Sequence, residues 1–227
     1  AVALAAGLAA ALKFQGAFTL QIKGDGPGTM LVADCTDTGA VRFYARTDED
    51  ALNTLLQDTP NPTDRELLGN GYMALTVDQG PDMERHQGIV DLAGDDLAAM
   101  ATHYFKTSEQ HACWIYLCCT MTDAGWRAGG LVLERIAGEG GTQVVGDENA
   151  EASWGTATML ASTLSTKEVL DDSLPSATLL HRLFHQEDLQ VSQPRALAYG
   201  CRCSRARLAS VLEGFDTDDL DHMCQDD

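Results

Sequence analysis

Cys201 and Cys203 stand two residues apart, immediately before a segment that Ser204 can cap as a helix. A thiol at a helix N-terminus is drawn toward its thiolate form by the helix dipole, and Arg202, Arg205 and Arg207 add positive charge at the same place. Thiolates so placed could supply half of a zinc site, form a redox pair, or be two incidental thiols. A closed structural zinc site takes about four sulfur or nitrogen ligands, so this pair needs partners from elsewhere. His222-x-Cys224 offers the right types. It lies in acidic sequence at the end of the chain, where ligands are poorly held, and the plainer reading puts both residues on a helix surface.

The remaining chemistry-bearing residues read as structural. Cys118-Cys119 falls in an apparent strand, where successive side chains point to opposite faces, so at least one of the two faces a core. His181 and His185 have the i, i+4 spacing of a metal pair. Arg182, however, stands where a metalloprotease H-E-x-x-H has its glutamate, and the plainer reading is an amphipathic helix with two histidines on its polar face. Gly24-Asp25-Gly26-Pro27-Gly28 precedes a strand and has no Lys-Ser/Thr after it, which makes it a hairpin loop rather than a phosphate cradle. Carboxylates are abundant, but no set of nucleophile, base and orienting group emerges.

The elements that must position these residues follow from periodicity. Ala1 to Leu12 reads as a buried helix with Gly7 as its weak point. The period then becomes two: Phe18, Leu20 and Ile22 alternate with Thr19, Gln21 and Lys23, followed by strands at Met30 to Ala33 and Val41 to Arg46 in an antiparallel meander. Further strands are expected at Tyr72 to Val77, Gln87 to Leu92, Trp114 to Thr120 and Leu131 to Ile136, with Gly129-Gly130 as a break before the last. Asp95 or Asp96 caps a helix through Phe105. A run rich in Gly and acid, Ala137 to Glu151, marks a boundary. Beyond it come short helices with few large apolar residues, broken at Pro175, which read as a marginally stable helical linker.

Composition narrows the function. The 227 residues carry 15 Lys+Arg against 34 Asp+Glu, a formal charge of −19. Scattered basic residues among so many acids disfavour duplex nucleic acid and anionic membrane surfaces as partners. No apolar run reaches the roughly 18 to 20 residues that span a bilayer. Seven cysteines, an odd and irregularly spaced set (35, 113, 118, 119, 201, 203, 224), point to a reducing compartment and a cytoplasmic location.

Several pieces together resemble one family, the 33 kDa chaperonin, a bacterial redox-regulated heat-shock holdase. They are Leu12-Lys13-Phe14, Gln21-Ile22-Lys23-Gly24-Asp25-Gly26-Pro27, Gly69-Asn70-Gly71-Tyr72, Gln87-Gly88-Ile89-Val90, Tyr104-Phe105 with Ser108-Glu109-Gln110, Ala128-Gly129-Gly130-Leu131, Leu183-Phe184-His185, and Cys201-Arg202-Cys203-Ser204-Arg205. Their order and spacing cover nearly the whole chain.

The resemblance implies an α+β fold in three parts. These are a strand-rich core domain with packed helices over 1–148, a helical linker over 149–200, and part of a small C-terminal zinc domain over 201–227. It implies zinc held by a C-x-C and a later C-x-x-C. Cys201 and Cys203 match the first pair. The second is not found in the 24 residues after Cys203, which contain Cys224 alone, so both ends are expected to be truncated and zinc to be absent or weakly held. The implied activity is ATP-independent holding of unfolding client proteins, with no enzymatic turnover. It would be switched on when oxidation joins Cys201 to Cys203 in a strained, easily reversed disulfide, zinc leaves and the linker loosens. A homodimer, possibly domain-swapped, is implied too. Cys35, Cys113, Cys118 and Cys119 are expected to serve packing. Two other classes compete: a thiol-dependent oxidoreductase using Cys201 and Cys203, and a static zinc-binding interaction module.

Overall fold

The computed structural model describes residues 1–11, 14–80, 83–136, 148–201, 204–217 and 219–220. Its first element, α1 (Val2–Ala11), is composed of Ala, Leu, Val and Gly and is apolar on every face. A helix of that kind must be covered all round. The cover comes from two sheets, and Leu4, Ala5, Ala6, Leu8 and Ala9 are all buried between them.

The larger sheet begins with β1 (Ala17–Gly24), β2 (Gly28–Thr36) and β3 (Ala40–Thr47), the expected antiparallel meander. Helices α2 (Glu49–Asp58) and α3 (Asp64–Leu68) follow, then β4 (Gly71–Asp78) and β5 (His86–Asp91). Helix α4 (Leu97–Thr107) leads to a long hairpin, β6 (Cys113–Thr122) and β7 (Gly125–Glu134). Helices α5 (Glu148–Ala161), α6 (Thr166–Val169) and α7 (Ser176–Phe184), a two-residue strand β8 (Ala198–Tyr199) and α8 (Arg205–Leu212) complete the described elements. The strand order is β5-β4-β1-β2-β3-β8, antiparallel throughout except for the parallel β3–β8 contact, while β6–β7 stands apart as a second sheet. The fold is α+β, as expected.

The layers follow from alternation. Phe18, Leu20 and Ile22 of β1 are buried on the face that meets α1, beside α4 residues Met100, Ala101 and Tyr104. On the hairpin, Cys113, Ile115 and Val132 face this same core, while Trp114, Tyr116, Leu131 and Leu133 face the other way, toward α5, α6 and α7. The order is therefore large sheet, α1 with α4, hairpin, and an outer helical layer.

Two sequence expectations need correction. The helices α2 and α3 are not among the expected elements, although their caps are present: the Asp48 carboxylate accepts from the Ala51 N–H at 3.0 Å, and Thr63 with Glu66 forms a capping box. Helix α2 carries Leu52, Leu55 and Leu56 at helical spacing, so its apolar stripe is present in the sequence even though none of its residues is buried. Gly129-Gly130, expected as a break, lies inside β7, which runs unbroken from Gly125 to Glu134, and the strand ends before Ile136.

On the face of the sheet opposite α1, Asp34 is buried at 4% exposure between its two cross-strand neighbours. The Thr19 hydroxyl donates to one carboxylate oxygen at 2.6 Å, and Arg42 Nε donates to the other. A buried carboxylate is tolerated because both oxygens are met.

Glu134, at the end of β7, has the opposite balance. Burial raises its carboxyl above the ordinary value of 4.5, and Glu109 adds to this, while His111, with Nε2 3.8 Å away, opposes it. A raised carboxyl binds its proton more tightly in the folded chain than in the unfolded one, so its contribution to stability is greatest in acid and is lost as pH rises through the raised value. Glu134→Gln is therefore expected to raise the urea midpoint at pH 7 and to leave it unchanged near pH 4. A midpoint at pH 7 below that of the parent protein would contradict this.

Candidate functional site: the thiol segment and the face it governs

Cys201 is exposed, two residues after β8 and just ahead of α8. Helix α8 begins where Ser204 was expected to cap it, its first turn closed by the Leu208 N–H donating to the Ser204 carbonyl at 3.0 Å. Leu208, Val211 and Leu212 are all exposed on it. Cys203 and Arg202 lie outside the described residues, as do His222 and Cys224. Among the described residues no group of three or more His, Cys, Asp or Glu side chains converges as a metal would require. The donor types at Cys201 and Cys203 suit zinc as two of four ligands, and no more than that. His181 and His185 both lie on the exposed side of α7 and its C-cap, with Arg182 between them, and line a shallow depression together.

The other thiols sit in different surroundings. Cys35 and Cys113 are buried in the core, and burial pushes both thiols up, Cys113 to about 12 with the Glu134 carboxylate adding to the effect. Burial raises Cys118 as well. A protonated, enclosed thiol is a poor nucleophile toward peroxide. The expectation of packing roles holds for Cys35 and Cys113 but not for Cys119, which is exposed because the far end of the hairpin runs past the layers that cover its base. Native protein treated with N-ethylmaleimide at pH 7.5 is expected to be labelled at Cys201 and Cys119, with Cys35 and Cys113 labelled only after denaturation. Peptide mass spectrometry reads the order, and labelling of Cys113 as fast as Cys201 would refute it.

Upstream of the thiols lies the helical layer. Its own buried residues are few: Ala161, Leu164, Leu183 and Phe184. They close over Trp114, Tyr116, Leu131 and Leu133, which gives the hairpin's outer face an aromatic and aliphatic character. Trp114 and Tyr116 stack with ring centroids 6.4 Å apart. The layer is tied down by polar contacts at its rim. Arg127 donates to both oxygens of Asp172 at 2.7 and 2.6 Å, the Tyr116 and Thr166 hydroxyls meet at 2.8 Å, and Arg135 pairs with Glu151. Exposed pairs of this kind contribute roughly 0 to 1 kcal/mol each.

Gly129 marks the closest approach. A Cβ there would stand 2.6 Å from Val169 Cγ1, so α6 reaches the hairpin only because position 129 has no side chain. Sequence reasoning missed this residue. Its signal was available, since a glycine within a strand pattern points to a bulge or to close approach of another segment.

A family model described as Hsp33 protein matches residues 1–227. The 33 kDa chaperonin of Caulobacter vibrioides (strain NA1000 / CB15N) is 34% identical over 231 residues, which covers 100% of this chain and 75% of that protein. The 33 kDa chaperonin of Pseudomonas fluorescens (strain SBW25) is also 34% identical, over 98% of this chain and 69% of its own length. The crystal structure of the 33 kDa chaperonin from Thermotoga maritima shares the fold with a TM-score of 0.72 at 19% identity, over 98% of this chain and 72% of that one. With the match extending from the first residue to the last, the chain belongs to the Hsp33 family.

Proposed function

We propose that this chain is a chaperone that holds unfolding proteins without ATP, quiet while its thiols are reduced and switched on by their oxidation. The observation that carries the reading is the hairpin face of Trp114, Tyr116, Leu131 and Leu133, which a thinly anchored helical layer covers. Four buried residues and a rim of exposed polar ties make a cover that a small free-energy change can lift.

The switch is assigned to Cys201 and Cys203, joined to that layer through residues 185–200. One thiolate attacks a peroxide oxygen and becomes a sulfenic acid as the O–O bond breaks and hydroxide leaves, taking a proton from solvent to become water; the other thiol then attacks the sulfenic sulfur and displaces a second water to close the disulfide. In the complete ligand set, zinc would keep these two thiols reduced and lend folding free energy to the domain around them. On this reading 1–148 is the core domain, 149–200 the linker and 201–227 part of the switch domain. Clients are recognised by apolar surface rather than by sequence, and the charge of −19 keeps a loaded complex dispersed. A homodimer in the cytoplasm completes the proposal.

The test is light scattering of a thermally unfolding client mixed with this chain, reduced in one tube and peroxide-treated in the other, without ATP. Suppression of aggregation is expected, and stronger after peroxide. Aggregation unaffected in both tubes would overturn the reading.

A further inference from the structure

The outer edge of the large sheet carries a half-filled seat. Ala198 and Tyr199 pair in parallel with Ala40 and Val41 of β3, the Ala198 N–H donating to the Gly39 carbonyl at 3.0 Å and the Gly200 N–H to the Val41 carbonyl at 2.9 Å. The fit is close at both ends. A Cβ on Gly39, which has φ +88°, would stand 2.2 Å from the Ala196 carbonyl oxygen, and one on Gly200 would stand 2.7 Å from the Ala40 Cβ. Beyond Val41 the strand continues for six residues, yet on the side away from β2 no described strand lies beside Phe43–Thr47, and all five are exposed.

Strand geometry fixes what this edge presents. The backbone groups that Val41 turns to β8 recur every second residue, so Phe43, Ala45 and Thr47 direct their N–H and C=O groups outward, while Tyr44 and Arg46 bond inward to β2. The Thr29 hydroxyl donating to the Arg46 carbonyl from the β2 side, at 3.1 Å, agrees with that phase. Phe43 and Tyr44, 69% and 56% exposed, flank the edge on its two faces. The segment from Ala40 to Thr47 contains no proline or lysine; of its two arginines, Arg42 is paired with Asp34 and Arg46 is the one exposed charge on the open part of the edge.

We propose that the β3 edge from Val41 to Thr47 is a docking strand for an extended segment of an unfolding client, which adds to the sheet in the direction that β8 now takes. The inference rests on the chaperone reading above and gives it a surface. The chain's own extended segment already shows that the edge accepts a strand. Main-chain pairing needs no particular sequence, and Phe43 and Tyr44 reward apolar side chains at alternate positions. Because Gly200 closes the seat and Cys201 follows it directly, a change in the thiol segment pulls on β8 first, and its release would lengthen the open edge by two residues.

The test compares peroxide-treated parent protein with Ala45→Pro and Ala45→Lys, using reduced, carboxymethylated lactalbumin as a permanently unfolded probe. Proline at 45 removes an outward N–H without touching the β2 ladder. The lysine variant keeps the backbone and only charges the edge, so it answers the question if the proline variant fails to fold. Both are expected to weaken probe binding about tenfold with unchanged circular dichroism. The amides of Phe43, Ala45 and Thr47 should exchange more slowly once the probe is bound. Equal binding by parent and both variants, with no added protection, overturns the edge assignment and leaves the chaperone reading intact. Absence of probe binding by the parent overturns both. Protection that rises with protein concentration alone would give the edge to a second copy of the chain and overturn the client assignment.

Discussion

Gly129→Val is expected to give a protein that binds unfolding clients and the dye ANS in its reduced state nearly as strongly as the peroxide-treated parent does. Valine suits a strand, so β7 itself should persist. Its Cβ would fall 2.6 Å from Val169 Cγ1, inside any tolerable contact, and α6 must lift. Overpacking of this kind costs about 1 to 3 kcal/mol. Against a cover of only four buried side chains, that shifts docking by a factor of roughly 5 to 150 toward the open form. Gly155→Ala is the counterpart. Position 155 lies on α5 with open space around its missing Cβ, and alanine there gains about 0.5 to 1 kcal/mol of helix preference, so reduced-state dye binding should fall or stay level. Reduced-state binding of Gly129→Val no different from the parent would show that the helical layer does not gate the hairpin face.

The second large effect concerns stability. Arg42→Ala leaves the Asp34 carboxylate buried with the Thr19 hydroxyl but without its guanidinium. Breaking a buried pair from one side costs about 3 kcal/mol, which in urea moves the midpoint down by about 1 M. Removing both partners, Asp34→Ala with Arg42→Ala, should be less destabilising than Arg42→Ala alone, because no charge is then stranded. A double variant weaker than the single one would mean that the pair adds net stability rather than only avoiding a penalty.

Much of this architecture is legible in the sequence wherever the determinants are local. The all-apolar run of α1, the alternation of Phe18, Leu20 and Ile22, and the Asp96 cap of α4 each speak for themselves, and each element forms where expected. What escapes is set by partners far along the chain. Gly129-Gly130 reads as a break until Val169 is known to lie above it, 40 residues later. Asp34, flanked by Ala33 and Cys35, gives no hint that Thr19 and Arg42 will meet it from neighbouring strands. Cys118 and Cys119 lie on opposite faces of the hairpin, and nothing local says how far along it either face is covered. The thiol pair was the clearest chemical signal, yet its meaning comes from family membership more than from spacing, since a C-x-C alone fits several chemistries.

The position of α1 has a consequence for how the molecule comes to be. The helix is central to both sheets, yet it is the first described element of the chain, and one of its covers, β7, lies at residues 125–134. During synthesis an entirely apolar helix must therefore wait for more than a hundred residues before its last neighbour emerges. Closing so long a loop is slow, and the waiting surface is sticky. A nascent chain of this family is thus, for that interval, the same kind of molecule that the finished protein is proposed to hold.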